Sequence, residues 1–414
     1  MTNSIKGGVL CVALFLFGLY VPKMVLVITF IMVLVAFKII STKSLPYSFV
    51  FKFILLFAFA MSYYLLIALQ GIHDFQSGIN SAQTIILMYC AGFLLNDDLD
   101  SGDLFHSLWP ILSLIGGFVV FTFLTVRTNY TLSDVFLGEY SKAIPSFWGG
   151  GDPINRPGLG AMASLGMCLA PVLLLGKANI PGKGGAYIFR TAIFILLGMG
   201  LYINLILANR SPFLALGTAL LISLVIILIK NKQLAIELML KILVIALLAI
   251  YILSIYFDFS DLYAIQRFMD EGLDTAGRFV SWQIMLSELF TSPFGGRVVF
   301  LGGNSFVHNM WLDVDWDAGI IPFVFLLAFH LIHLKDYKVL FWSKVPLFFL
   351  IFIACASTSF FMNFLQEPTM EASPAYFAAS CFLLGAISKF TMHMERGGAG
   401  APYRGGTGQG DHPI

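Results

Sequence analysis

The sequence predicts an all-α integral membrane protein, and both its composition and the length of its apolar runs support this. Of its 414 residues, 58% are hydrophobic and 11% are charged, against about 25% charged in a soluble domain. The apolar runs are about 20 residues long, which is the length an α-helix needs to cross a bilayer. They lack the strict alternation of a barrel strand. The composition therefore excludes a soluble enzyme and a membrane β-barrel.

About twelve spans are predicted in one polytopic transmembrane domain, residues 1–396. Two long outer loops, at about 127–157 and 258–310, interrupt them, and the other connections are short. The Gly-rich tail, 397–414, has no helical pattern and is predicted to be either disordered or an expression remnant. The spans are predicted at about 6–21, 24–40, 48–70, 80–96, 104–126, 158–176, 187–207, 211–229, 235–257, 311–333, 345–363 and 373–391.

The distribution of basic residues predicts the orientation. With the N-terminus inside, 16 of the 24 Lys and Arg residues face the cytoplasm, where basic residues are enriched. Thirteen of those 16 are lysines, whereas six of the eight outer basic residues are arginines. Because the planar guanidinium fork suits a bidentate grip on phosphate or carboxylate, the outer face is predicted to hold an anion.

Two outer arginines stand where a helix is predicted to begin. Arg210, in ILANRSPFLAL, precedes Ser211-Pro212, and the free N–H groups of the next helix would favour a phosphate beside it. Arg278 follows Gly277 and opens an amphipathic helix predicted to lie at the membrane interface, on which Trp282 is a candidate substrate-binding residue. The alternatives are a snorkelling Arg210, and an Arg278 paired with a nearby carboxylate, either Glu271, Asp274 or Glu288.

A third outer cation, Arg156, lies just before a Pro that starts a span. It is a candidate substrate-binding residue, and the alternative is that it only marks the start of the helix. Glu367 and Glu371 close the outer end of the last pair of spans, where a salt bridge to an arginine is the default expectation.

His308 and Asn309 stand at the junction between the second long loop and the tenth span. A His near its unperturbed pKa can accept a proton from a hydroxyl, although a lone His at an interface is often only a structural hydrogen-bonding group. Asp313, Asp315 and Asp317 follow at a spacing that does not make one helical face, so no metal triad is predicted. Asp313 and Asp317 do share a face and are candidates for positioning His308 or binding sugar.

The order of these motifs resembles the O-antigen polymerase and O-antigen ligase superfamily of membrane glycosyltransferases. The resemblance covers roughly residues 150–390 and departs from the family where Asn-Arg-Ser-Pro replaces the usual Arg-Ser-Arg or Ser-Arg-Gly. Three segments carry it: Asn209-Arg210-Ser211 before a span, GRFVSW followed by Pro-Phe-Gly-Gly, and His308-Asn309 followed by Leu312 and Gly319.

The resemblance implies a GT-C-like glycosyltransferase in the bacterial inner membrane, with its active site facing the periplasm. The donor would be an oligosaccharide on undecaprenyl diphosphate, with no metal, cofactor or nucleic acid. Arg210 and Arg278 would bind the departing diphosphate, His308 would activate or orient the acceptor, and Arg156 would support them. A chain-length regulator protein is a further partner that the resemblance allows.

The acceptor separates two forms of this hypothesis. A polymerase transfers the glycan to another lipid-linked repeat unit, and a ligase transfers it to lipid A core. We favour the polymerase because the loop from Arg278 to His308 is compact, whereas a bulky core acceptor predicts a more elaborate outer domain. A flippase or exporter of the same lipid-linked sugar is the third reading, but such carriers bury charges along a central cavity and often show related halves.

Overall fold

The computed structural model describes residues 3–42, 44–96, 104–131, 143–149, 153–175, 183–256, 276–302 and 306–396. Parts of both long loops, the predicted tail 397–414, and the Glu271 and Asp274 considered as partners of Arg278 lie outside these residues. The helices are α1 (Asn3–Gly18), α2 (Met24–Ser41), α3 (Tyr47–Leu69), α4 (Phe75–Leu94), α5 (Leu108–Asn129), α6 (Arg156–Cys168), α7 (Ala170–Leu174), α8 (Lys183–Leu207), α9 (Ser211–Lys230), α10 (Lys232–Tyr256), α11 (Ala276–Glu288), α12 (Met310–Ala318), α13 (Ile320–Trp342), α14 (Leu347–Phe364), α15 (Thr369–Ala372) and α16 (Pro374–Arg396).

The protein is an all-α multi-pass membrane protein. Within the described residues, nine segments are helical, long and apolar enough to cross a bilayer. They are α2, α3, α5, the pair α6 and α7, α8, α9, α13, α14 and α16. The other three predicted spans coincide with α1, α4 and α10, which do not meet the same criterion, so the number twelve is not supported by this finding.

The tenth span was predicted in the wrong place. Instead of one helix over 311–333, the chain forms the short helix α12, turns at Gly319, and then begins the 23-residue apolar helix α13. Gly319 has φ +84°, and a Cβ there would lie 2.2 Å from the Pro293 carbonyl oxygen. Only glycine fits this conformation and this contact, so the chain breaks there and the apolar span begins after Gly319.

Close backbone contacts hold the centre of the bundle together. A Cβ on Gly92 of α4 would lie 2.0 Å from the Phe382 carbonyl oxygen of α16, and one on Gly385 would lie 2.3 Å from the Tyr89 carbonyl oxygen. Small residues allow helix backbones to approach closely inside a membrane, where packing replaces the hydrophobic effect. The backbones of α4 and α16 therefore pack directly against each other.

The connections at one end of the bundle contact one another. A two-stranded antiparallel hairpin, β1 (Ala143–Ile144) and β2 (Ile154–Asn155), lies just before α6. Trp148 in this connection donates a 3.0 Å hydrogen bond to the carbonyl of Leu19 at the end of α1. We call this end of the bundle the arginine face, because its connections carry Arg156, Arg210, Arg278 and Arg297.

Candidate functional site

The turn that follows α11 is docked on the end of α12. Gly296 N–H donates to the Asp317 carbonyl at 2.9 Å, and Arg297 N–H donates to the Trp316 carbonyl at 3.0 Å. Gly295 has φ +69°, and a Cβ there would lie 2.5 Å from the Ala318 backbone nitrogen. The two glycines of the Pro-Phe-Gly-Gly stretch are therefore needed to bring the loop backbone against α12.

His308 is held in a strained backbone conformation by bonds on both sides of it. Its φ is +59°, which is uncommon for a residue other than glycine. The Asp313 carboxylate accepts hydrogen bonds from the Val307 N–H at 2.8 Å and the Asn309 N–H at 3.0 Å. Trp282 on α11 donates from Nε1 to the Val307 carbonyl at 2.9 Å. Strain of this kind persists only where the surroundings impose it, and it concentrates at functional sites.

Asn309 and Asp313 together start α12. The Asn309 side chain accepts hydrogen bonds from the N–H groups of Trp311 and Leu312, which makes it the N-cap. Both residues are buried, and burial raises the pKa of Asp313 well above its ordinary range, although its two backbone donors oppose that shift. In this structure, Trp282, Asn309 and Asp313 position the backbone around His308.

The His308 imidazole is neutral at physiological pH. Burial, with the nearby Arg278 guanidinium as the second cause, lowers the pKa of His308 to about 4. Its Nδ1 is buried and has no hydrogen-bond partner among the described residues. A neutral imidazole with an unsatisfied nitrogen can accept a hydrogen bond from a substrate hydroxyl, but a pKa well below the unperturbed value that the prediction assumed makes His308 a weak base.

Arg278 is linked to the start of α9 through Glu367. The guanidinium Nη2 of Arg278 lies 3.8 Å from Glu367 Oε1, and Glu367 also accepts a hydrogen bond from the side chain of Ser211. Ser211 is the first residue of α9 and directly follows Arg210. The segments that carry Arg210 and Arg278 therefore meet at one buried carboxyl group, and His308 lies near Arg278.

Glu367 is the functional candidate that sequence reasoning undervalued, because it was treated only as a salt-bridge partner. It is 5% exposed, and burial raises its pKa to about 7, while Arg278 and Ser211 act in the opposite direction. A carboxyl group that titrates near neutral pH beside a cation is typical of functional sites. The sequence signal was an acidic residue in a short connection between two apolar spans.

Arg156 forms hydrogen bonds with the connection between α8 and α9, which contains Arg210. Its guanidinium donates a hydrogen bond to the Leu207 carbonyl at the end of α8, and its own carbonyl accepts one from Asn209 Nδ2 at 3.1 Å. A Cβ at Gly160 would lie 2.2 Å from that Asn209 nitrogen, so the glycine makes room for it. These contacts fix the Asn-Arg-Ser-Pro turn, and substrate binding by Arg156 stays a prediction.

Asp317 takes part in a separate ion-pair network. Its carboxylate accepts hydrogen bonds from Arg297 Nε at 2.8 Å and from the Tyr63 hydroxyl at 3.0 Å. Arg297 also pairs with Glu371 and lies 5.1 Å from the centre of the Trp316 ring. Burial raises the pKa of Asp317 to about 6, with Arg297 opposing the rise. This network ties α3 to α12 and to the connection before α16.

A second charged cluster lies inside the bundle, far from the arginine face. Lys52 Nζ lies 2.5 Å from Asp336 Oδ2, and Ser388 donates to the same oxygen at 2.7 Å. Lys52 and Asp336 are 6% and 7% exposed. From the sequence, Lys52 is one of the 16 basic residues assigned to the cytoplasmic side, and neither its burial nor its pairing with Asp336 was predicted. The pairing joins residues 284 positions apart, which no local pattern reveals.

The described residues contain no group of three or more His, Cys, Asp and Glu side chains that could hold a metal ion. On α12, the Asp313 carboxylate is bonded to backbone N–H groups and the Asp317 carboxylate to Arg297. What the arginine face offers a ligand is therefore cationic side chains, a helix N-terminus and a neutral imidazole, a set suited to an anion and a hydroxyl.

Comparisons with known proteins do not assign this chain to a family. No family model matches it, and no curated protein matches it. Three chains in solved structures match. One comes from work on the structural coordination of polymerization and crosslinking by a peptidoglycan synthase complex. It is 16% identical, with a TM-score of 0.43, over 86% of this chain and 99% of that chain.

Proposed function

We propose that the protein is a membrane glycosyltransferase of the O-antigen polymerase type. It transfers a glycan from undecaprenyl diphosphate to a hydroxyl of another lipid-linked repeat unit. The proposal includes twelve crossings, a location in the bacterial inner membrane and a site on its periplasmic side. One observation supports it most: Arg278 and Ser211 both interact with the buried Glu367. Arg278 lies near His308, and Ser211 directly follows Arg210.

The donor diphosphate binds to Arg278 and Arg210 at the N-terminus of α9. The Arg278 side chain is 35% exposed, and its 3.8 Å contact with Glu367 is longer than a hydrogen bond, so its donors remain accessible to a ligand. Arg297, by contrast, is bonded to two carboxylates. The 20-residue helix α9 adds the positive end of its dipole, which favours a phosphate, although Pro212 has no N–H and the Phe213 N–H donates to the Arg210 carbonyl at 3.1 Å.

The reaction is a displacement at the anomeric carbon of the donor. The acceptor oxygen forms a bond to that carbon while the bond to the diphosphate oxygen breaks, and the electron pair leaves with the diphosphate. Arg278 and Arg210 stabilise the negative charge that develops there, so the leaving group needs no proton. The acceptor hydroxyl proton passes to neutral His308, whose position depends on Asp313 and Trp282.

The transport alternative has one observation in its favour, the Lys52–Asp336 pair inside the bundle. Ionisable residues within a membrane protein often mark a pathway for ions or substrate. Here, however, Lys52, Asp336 and Ser388 bond to one another and are all buried. We interpret the cluster as a static clamp between α3, α13 and α16.

The glycolipid profile of a deletion strain tests the function directly. Lipid A core that carries a single repeat unit is the result expected for a polymerase. Free core with accumulated lipid-linked polymer would instead identify a ligase. Loss of the lipid-linked repeat from the periplasmic side would identify a flippase and overturn the proposal. Plasmid-borne wild-type protein must restore the profile, which shows that the deletion alone causes the change.

A further inference from the structure

The segment after α11 carries large apolar side chains that are exposed in the part of the chain that the structure describes. Phe290, Phe294, Val298 and Phe300 are 79%, 61%, 70% and 80% exposed, and we call these four residues the apolar apron. Contiguous exposed apolar patches on a protein mark a contact with a partner or a membrane.

The side chains of the apolar apron do not belong to the hydrophobic core of the protein. The chain alternates there, since Leu301 is 2% exposed while its neighbour Phe300 points outward. Leu301 packs with Met285, Val307, Leu312 and Trp316 in a small core beneath the segment. Trp316 Nε1 also donates to the Val299 carbonyl at 3.0 Å. The inward-facing side chains of the segment are therefore packed in this small core, and the outward-facing side chains form a separate exposed apolar surface.

Two hydrogen bonds place the apron at the boundary of the membrane. The Pro293 carbonyl accepts a 3.2 Å hydrogen bond from the N–H of Ile320, the first residue of the span α13. The Phe294 carbonyl accepts a hydrogen bond from the side chain of Gln70, the C-cap residue that directly follows the span α3. The turn therefore lies level with the ends of two membrane-spanning helices.

The exposed surface of those two helices continues into the apron. Leu69, the last residue of α3, is 74% exposed, and Ile321, the second residue of α13, is 45% exposed. Such side chains on a spanning helix face lipid. Phe294, bonded through its backbone between the two helix ends, extends the same apolar surface just beyond them. Aromatic side chains concentrate at this depth of a bilayer.

We propose that the apolar apron inserts into the lipid leaflet on the arginine face. The loop that carries Arg278 and Arg297 is then anchored to the bilayer surface instead of standing in water. If the proposed function holds, this anchoring keeps Arg278 at the depth where the phosphates of a membrane-anchored donor lie. The lipid contact itself does not depend on that function.

Fluorescence quenching tests the contact. A bimane label is placed on single cysteines introduced at Phe290, Phe294 or Phe300, with Cys11 replaced by Ala, because the other four native cysteines are buried. The protein is reconstituted into phosphatidylethanolamine and phosphatidylglycerol nanodiscs. Val324 of α13, which is 50% exposed, provides a lipid-facing reference, and the exposed His73 in the turn after α3 provides an aqueous one.

We expect lipids brominated near the headgroup to quench the three apron labels at least twofold, as they quench Val324, and iodide to quench only His73. Quenching of the apron labels by iodide would place the apron in water and overturn the proposal. Quenching by neither agent would mean that protein covers the apron, which also overturns it. The labels should be quenched by lipid to the same extent in an Arg278→Ala background. That variant is expected to lose glycan transfer but keeps the apolar apron, so the result separates the lipid contact from catalysis.

Discussion

The guanidinium of Arg278 lies 3.8 Å from the carboxylate of Glu367, a residue that is 89 positions later in the sequence. Glu367 also bonds to Ser211, so the contact joins α11, the start of α9 and the connection after α14. The pairing explains how a partly exposed arginine can be oriented without being fully neutralised. It gives the candidate site a cation that can be shared with an anionic ligand.

Arg278→Ala and Arg210→Ala should each abolish glycan transfer. Removal of one group that stabilises developing charge costs about 10²–10³-fold in rate, and we expect at least that loss in a complementation assay read by glycolipid profile. Arg278→Lys should also be damaging, because lysine lacks the planar fork.

A matched cation on the opposite face serves as the control. Lys241 pairs with Glu237 one helical turn away, and both side chains are about half exposed. Lys241 lies on α10, away from the connections of the arginine face, so Lys241→Ala should transfer glycan at the wild-type rate. Full activity in either arginine variant would remove that arginine from the mechanism.

Glu367 should make stability depend on pH. Its pKa is about 7 in the folded protein against an ordinary value of 4.5, so the folded state binds more protons between those values. The stabilisation is complete below about pH 4.5 and is lost as the pH rises to about 7, which amounts to about 3 kcal/mol by linkage. Glu367→Gln mimics the protonated form and should flatten this dependence.

Thermal unfolding of the purified protein from pH 5 to 8 measures this effect. The wild-type melting temperature should fall relative to that of Glu367→Gln as the pH rises, and the difference should be constant above about pH 7.5. Glu237→Gln, at an exposed position on the opposite face, should keep the wild-type profile. Parallel profiles for wild type and Glu367→Gln would show that Glu367 does not titrate in this range.

The positioning of His308 can be tested with two isosteric substitutions on one helix. Asp313 and Asp315 are each 3% exposed, but only Asp313 bonds to the N–H groups on both sides of His308. In Asp313→Asn, the amide oxygen can accept from only one of the two backbone N–H groups, and the amide NH2 faces the other. It should cost about 1–3 kcal/mol of stability and reduce transfer nearly as far as His308→Ala.

Asp315→Asn is the control for burial and charge. Burial raises the pKa of Asp315 to about 7, and its Oδ1 has no hydrogen-bond partner among the described residues. Replacing it by the neutral amide should leave transfer unchanged and leave stability unchanged or higher. Equal loss of transfer in both variants would mean that charge on α12, rather than the position of His308, matters.

The sequence predicted the elements that depend on local pattern. The apolar runs indicated the helices, and the motifs around Arg278 and His308 indicated one site, because each motif marks a helix end. The prediction of one span over 311–333 failed at Gly319, because it joined the Asp-containing helix α12 to the apolar helix that begins at Ile320. The break there depends on Pro293, whose carbonyl occupies the space of a side chain at Gly319.

Local sequence pattern also could not predict the burial of two charged residues, Glu367 and Lys52. Glu367 had the expected kind of partner, but its burial and its bond to Ser211 follow from packing between distant connections. Lys52 sits in the first turns of α3 and looked like a cytoplasmic lysine. Its partner Asp336 comes from α13, near the opposite end of the chain, and only the assembled bundle brings them together.

The Lys52–Asp336 pair should be replaceable as a unit. Removing one partner leaves a buried charge unpaired, so Lys52→Met should lower stability by about 3–5 kcal/mol. The double variant Lys52→Met/Asp336→Leu removes both charges and should recover most of that loss, because buried ion pairs often exchange with apolar residues at little cost. Chemical denaturation of the purified variants measures both values. Lys335→Met, which breaks the exposed pair with Glu395, should change stability by less than about 1 kcal/mol.

Activity of the double variant decides between a clamp and a pathway. A static clamp needs only packing, so the stable double variant should transfer glycan like the wild type. If the charges instead carry protons or bind substrate within the membrane, the double variant will fold but lose function. That outcome would favour transport over glycan transfer, because the proposed chemistry on the arginine face makes no use of Lys52 or Asp336.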